Sequence, residues 1–242
     1  LCLMIVQKSF LMKQKQCWGW MMKIKGNRIK EGKSLERGKL YTVSRNREIL
    51  FEEKETNDRV NIVFSLREGQ YGIYGNEFKP DFVNDQGTKK ADILVLVIDE
   101  NTKKFGSWVF DVKQTVGGED VIYHLIGQLR ESVIHKNSIT LHLPGYSEEQ
   151  HIGYITRDLQ KDRIAGTIQT KETYIREEDS KIEKLPPLIG MKEGRQLLEE
   201  KAKLKMLMLF SDEKIEIGSN IYPLECCVYE KEAYCCDLKV CC

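Results

Sequence analysis

The segment Ala91-Asp92-Ile93-Leu94-Val95-Leu96-Val97-Ile98-Asp99 constrains the fold more than any other part of the chain. Its six central residues are all aliphatic, and four of them are β-branched. A short apolar run of this kind, bounded by charge, reads as a buried strand rather than a helix. Polar turn material follows at Glu100-Asn101-Thr102-Lys103-Lys104, and then a second strand-like run, Ser107-Trp108-Val109-Phe110-Asp111-Val112-Lys113. The two runs predict an antiparallel hairpin.

Periodicity changes after Gly117-Gly118. Between Glu119 and Lys136, Ile122, Leu125, Ile126, Leu129 and Val133 share one helical stripe, with His124, Gln128 and Glu131 off it. Ile139-Thr140-Leu141-His142-Leu143 reads as a strand stopped at Pro144-Gly145, and His151–Thr156 reads as another. Strand, helix and strand in this order predict a parallel crossover. The expected class is therefore α/β, with a central mixed sheet made of an antiparallel hairpin plus a parallel crossover strand, flanked by helices. Upstream, Val60–Phe64 reads as a strand, Gly69, Gly72 and Gly75 punctuate a turn-rich stretch, and Phe78–Val83 is short and extended. Downstream, Lys161–Lys184 is highly charged, Leu185-Pro186-Pro187 marks a break, and Lys192–Phe210 has helix-forming composition.

The hairpin also gathers charge. Asp92 opens its first strand, and Asp111 and Lys113 close its second. With the turn near Asn101–Lys103, Asp92 returns opposite residues 111–113. Asp111 and Lys113, two positions apart, point to the same face. Phe110 and Val112 point the other way, into a core. A carboxylate among apolar neighbours needs a partner or a cation. Two converging carboxylates repel, and a divalent ion relieves that repulsion. Hard oxygen ligands suit Mg²⁺ or Mn²⁺, and a metal so held can activate water and stabilise charge on a phosphoryl oxygen. Lys113 is placed to orient the attacking water and offset charge in the transition state. The competing reading is a structural ion pair from Lys113 to Asp92 or Asp111 at a sheet edge.

Asp92 in Ala91-Asp92-Ile93-Leu94-Val95-Leu96, followed by Trp108-Val109-Phe110-Asp111-Val112-Lys113-Gln114, resembles the PD-(D/E)xK nuclease superfamily. The resemblance covers roughly residues 60–143. It implies a restriction-endonuclease-like core: a helix, a three-stranded antiparallel run, a crossover helix and a parallel strand. It also implies a Mg²⁺-dependent phosphodiesterase acting on DNA, less often RNA. Asp92, Asp111 and Lys113 would then be catalytic, and Asp92 and Asp111 would hold the metal. Two departures stand out. Ala91 rather than Pro precedes Asp92, while a literal Pro80-Asp81 lies further upstream, so Asp81 is either a further metal ligand or a turn residue. Some members carry a Gln with a Tyr four residues on, whereas Gln128 is followed at that spacing by Ser132. Gln128 and His124, one turn earlier, either reach the site or lie on an exposed helix face. The alternative function is a non-catalytic nucleic-acid-binding or partner-binding protein that keeps the nuclease fold.

These readings divide the chain into a basic and apolar N-terminal extension (1–40), a nuclease-like core (41–160), a charged region with an amphipathic helix (161–225) and a cysteine-rich tail (226–242). With 38 Lys+Arg against 37 Asp+Glu, the net charge is +1, which excludes nucleic-acid binding through bulk charge but not through a local basic groove. The run Lys23–Lys30 is either such a surface or a solvated face. The 192–210 helix either packs on the core, the safer reading, or meets a protein partner or a second copy of the chain. The opening Leu1–Val6 is too short to span a membrane and lacks the flanks of a secretory leader, so a cytoplasmic protein without membrane association is expected. No cysteine lies between Cys17 and Cys226, so the core is expected to do without disulfides. Adjacent pairs, Cys226-Cys227, Cys235-Cys236 and Cys241-Cys242, suit metal ligation poorly. Zinc binding and lipidation remain open for them, and an exposed, oxidation-prone tail is the favoured reading.

Overall fold

The computed structural model describes residues 42–44, 48–55, 58–75, 90–141, 143–184, 187–229 and 235–241. The 1–40 extension with its basic run, the extended stretch at 78–83 with Asp81, and His142 lie outside the described residues.

The aliphatic run folds as the sequence predicts. β5 (Ile93–Asp99) and β6 (Lys104–Val116) form an antiparallel pair whose register runs from Asp99↔Lys104 to Ile93↔Phe110. Asp99 caps the turn between them: its Oδ1 accepts the backbone N–H groups of Asn101 at 2.9 Å and Thr102 at 3.1 Å. Lys103 completes the turn with φ +54°. Because side chains alternate faces, a slip of one residue would send Asp111 to the opposite side of the sheet, so this turn sets the position of the candidate site.

β5 and β6 are the centre of a six-stranded sheet. Its other strands are β1 (Thr42–Ser44), β4 (Gln70–Gly75), β7 (Ser147–Leu159) and β10 (Glu225–Val228), in the order β1-β4-β5-β6-β7-β10. Pairing is antiparallel from β1 to β6 and parallel from β6 through β7 to β10. The class is therefore α/β with a mixed central sheet flanked by helices. On one face, Leu94, Val109, Ile152 and Tyr154 pack against Ile122, Leu125, Ile126, Leu129 and Val133 of helix α1 (Glu119–Thr140), the stripe expected from periodicity. On the other, Val95, Trp108, Phe110 and Val112 meet Ile62 and Phe64 of β3 (Asp58–Ser65). β3 belongs to a second sheet, ordered β11-β3-β2, with β2 at Glu48–Glu55 and β11 at Cys235–Cys241.

Two helices and a small hairpin complete the α1 face. α2 (Lys161–Ile182) buries Ile164 and Ile175, and α3 (Pro187–Ser211) delivers Leu207 and Phe210 to the α1 core. They are joined by ion pairs from Lys171 to Glu200 and from Lys201 to Asp179. β8 (Lys214–Ile217) and β9 (Asn220–Pro223) form the hairpin, and β8 adds Ile215 and Ile217 to the same core. Among the described residues, no helix is long and apolar enough to cross a membrane.

Three expectations need correction. Ile139–Leu143 is not a strand: α1 continues to Thr140, and the parallel strand is β7, which contains the expected strand at 151–156. The reason is competition for the sheet edge. β7 takes the parallel edge of β6 from Lys104↔Ser147 to Val116↔Leu159, which leaves no ladder position for Ile139–Leu143. Local bonds prevail instead: the Leu141 N–H donates to the Asn137 carbonyl at 3.1 Å, and the Leu141 side chain is left 78% exposed. Gly72 and Gly75 lie within β4 rather than in turns, because Tyr71 and Ile73 alternate into the core and hold the segment extended; only Gly69, at φ +85°, occupies a turn. The cysteine-rich segment is not a free tail either. β10 adds to the central sheet beside β7, and β11 pairs in parallel with β3. Cysteine packs as a small apolar residue, which suits the half-buried Cys226 and Cys227 of β10. Both are free thiols.

Candidate active site

The β5–β6 register places Asp92 one step beyond the last ladder pair, Ile93↔Phe110, and so across from Asp111. There the Asp92 side chain takes over a ladder function: the backbone N–H of Val112 donates to Asp92 Oδ2 at 2.8 Å. Asp111 shares the α1 face with Val109 and is fully buried, at 0% exposure. Lys113, two residues on, sets its Nζ 2.6 Å from Asp111 Oδ2, with its side chain 17% exposed. The same ammonium donates to the Val112 carbonyl at 3.2 Å. Asp92, Asp111 and Lys113 thus converge at the end of the hairpin remote from its turn.

The electrostatics of this cluster are unbalanced. Burial pushes the Asp111 carboxyl up from its ordinary range to about 8, and the charge of Asp92 pushes it the same way. Lys113 opposes both without overcoming them. Among the described residues, Asp111 has no neutral hydrogen-bond donor: it faces the Lys113 ammonium and the Asp92 carboxyl. Buried carboxylate oxygens are normally satisfied, and exceptions call for an explanation. A divalent cation between Asp92 and Asp111 would supply one, since it favours ionisation and would take up carboxylate lone pairs left over by Lys113 and the Val112 N–H. The donor set, two carboxylates, fits a hard ion that keeps several waters. Among the described residues, no group of three or more His, Cys, Asp or Glu side chains is arranged to hold a metal.

The secondary candidates separate. His124 is exposed on α1. Gln128 is buried, and its Nε2 donates to the Lys90 carbonyl at 2.6 Å. Ser132, noted in the sequence only as a departure from a Gln–Tyr spacing, is buried too and accepts the Ala91 N–H at 2.7 Å. The four-residue spacing was the available signal, since it puts both side chains on one side of the helix. A further polar group went unforeseen. Lys136 is fully buried on α1 and paired with Glu148, which also accepts the Ser107 hydroxyl at 2.6 Å.

Tyr154 and Cys226 extend the row of Asp111 across the sheet, as successive register partners on β7 and β10. Burial raises the Cys226 thiol above its usual range, so it is not activated as a nucleophile. No protein-family model, curated protein or solved structure matches the chain.

Proposed function

We propose that the chain is a Mg²⁺- or Mn²⁺-dependent nuclease of the PD-(D/E)xK kind, hydrolysing phosphodiester bonds of DNA or, less often, RNA. The observation that carries the reading is Asp111: a buried carboxylate with a raised pKa, beside Asp92 and ion-paired with Lys113. The order β4-β5-β6-α1-β7, an antiparallel run followed by a helical crossover to a parallel strand, supports a restriction-endonuclease-like core.

In this reading Asp92 and Asp111 hold the metal, which when bound supplies Lewis-acid stabilisation of charge at the phosphodiester. Asp92 is anchored by the Val112 N–H, so its carboxylate is oriented before any ligand arrives. Lys113 reaches from the buried carboxylate toward solvent and offers its ammonium to the attacking water and to developing charge. The test is cleavage of labelled single- and double-stranded DNA and RNA with Mg²⁺ or Mn²⁺, wild type beside Lys113→Ala. The wild type should cut, and the variant should lose about 10²–10³ in rate while still binding nucleic acid. Equal cleavage by both proteins would remove Lys113 from the mechanism.

One observation favours a second reading. Among the described residues, two carboxylates meet at the site, and Lys113 already compensates one of them. A non-catalytic nucleic-acid-binding protein with this fold would bind in a salt-sensitive manner and cut nothing with either metal.

A further inference from the structure

The Lys90 carbonyl and the Ala91 N–H are the two poles of one peptide group. Both are bound by side chains of α1: the carbonyl by Gln128 Nε2 at 2.6 Å and the N–H by Ser132 Oγ at 2.7 Å. Gln128 and Ser132 are one helical turn apart and only 9% and 5% exposed. The carbonyl can only accept, which fixes the Gln128 amide orientation, and the N–H can only donate, which makes Ser132 the acceptor. The peptide therefore lies along the helix, gripped at both ends. It precedes Asp92 directly, at a place where the β5–β6 ladder has already ended at Ile93↔Phe110. No ladder pair between β5 and β6 orients this stretch; the two helical side chains do.

We propose that Gln128 and Ser132 are positioning residues for Asp92: they fix the Lys90–Ala91 peptide plane and thereby aim the Asp92 carboxylate at the Val112 N–H and at Asp111. Neither residue needs to touch substrate or metal. Each acts through the backbone, and their hydrogen bonds make α1 a support for the hairpin end as well as a packing face. The consequence for metal affinity rests on the nuclease proposal above; the positioning of Asp92 does not.

The Val112 amide is a built-in reporter, because its acceptor is Asp92 Oδ2. The experiment measures amide hydrogen exchange by NMR without metal, and Mn²⁺ affinity by calorimetry, in wild type, Ser132→Ala, Gln128→Leu and Ser132→Thr. In Ser132→Ala and Gln128→Leu, the Val112 amide should exchange about tenfold faster, the equivalent of one hydrogen bond weakened, while amides of Leu96 and Ile152 in the sheet interior stay unchanged. Mn²⁺ affinity should fall by about tenfold or more, the usual cost of losing a group that orients a ligand. Ser132→Thr keeps the acceptor oxygen and should retain both properties. Unchanged Val112 exchange in a folded variant would overturn the proposal, as would a uniform acceleration across the sheet, which marks a packing role. If one variant does not fold, the other carries the same test. A wild type that binds no Mn²⁺ while Val112 still responds would sink the nuclease reading and leave the positioning role standing.

Discussion

Replacing Asp111 with Asn should make the protein more stable and less able to bind a divalent cation. Asp111 holds its proton up to about pH 8 in the folded chain, against an ordinary value of 3.8. In the unfolded chain the same carboxyl ionises near its ordinary value. As pH rises between the two, the unfolded state has released a proton that the native state still keeps, so stability falls by about 1.4 kcal/mol per pH unit. The loss is complete near pH 8, on the order of 5 kcal/mol, and both states are ionised above it. Asn keeps the shape and carries no charge, so it removes the whole slope. Little of the gain is offset through Lys113, because the carboxyl that it faces is already neutral below about pH 8 and the Asn side-chain oxygen still accepts from its ammonium. Near pH 4 the two proteins should unfold at similar urea concentrations. At pH 8, with chelator present, the variant should be more stable by a few kcal/mol. Mn²⁺ should then stabilise the wild type and leave the variant unmoved. A variant less stable than wild type by the same amount at both pH values would refute the reasoning, because Asp111 would then be a well-satisfied carboxylate rather than a repelled one.

The same linkage predicts that Mn²⁺ binding, followed by calorimetry between pH 6 and 8, tightens by about tenfold per pH unit, since the ion displaces the Asp111 proton; affinity independent of pH in that window would contradict it. Leu125→Ala, at the fully buried centre of the α1 stripe, should cost about 2–5 kcal/mol in urea unfolding. Asp99→Ala removes the acceptor of two turn N–H groups and should cost about 1 kcal/mol or slightly more. Because the turn sets the register that brings Asp92 to Asp111, that variant should also weaken Mn²⁺ binding, although it lies at the opposite end of the hairpin.

The hairpin and the α1 stripe were legible because burial leaves a direct mark on composition. An aliphatic run bounded by charge has few ways to fold, and Ile122, Leu125, Leu129 and Val133 repeat at the helical period. Convergence of Asp92, Asp111 and Lys113 followed from parity along two strands. The extent of α1 was not legible, because Ile139–Leu143 carries strand-forming residues, and the edge of β6 that such a strand would join is taken by β7, a non-local pairing. Nor were β10 and β11, whose pairing with β7 and β3 is non-local and whose paired cysteines resemble neither a helix nor an alternating strand. The roles of Gln128 and Ser132 were hidden for a related reason. Their partners are backbone groups at Lys90 and Ala91, roughly forty residues away, and a backbone partner leaves no residue type to read.

A strand that stops short inside a sheet leaves backbone groups that water would normally satisfy, and burial here denies them water. β5 loses its ladder to β6 beyond Ile93, and three side chains take over: Asp92 for the Val112 N–H, Gln128 for the Lys90 carbonyl and Ser132 for the Ala91 N–H. Had the ladder continued, Val112 would not need the Asp92 carboxylate, and that carboxylate would not be drawn in beside Asp111. An ionised carboxylate has about four lone-pair sites, so the bond at Oδ2 leaves acceptor capacity for a cation. The frayed hairpin end therefore does two things at once. It fixes an acidic side chain by a backbone hydrogen bond, and it brings that side chain to a second carboxylate whose charge burial opposes and Lys113 offsets in part. A fully paired strand would satisfy the backbone and place no such demand on Asp92; a strand ending in solvent would hydrate Asp111 and return it to the ordinary carboxylate range.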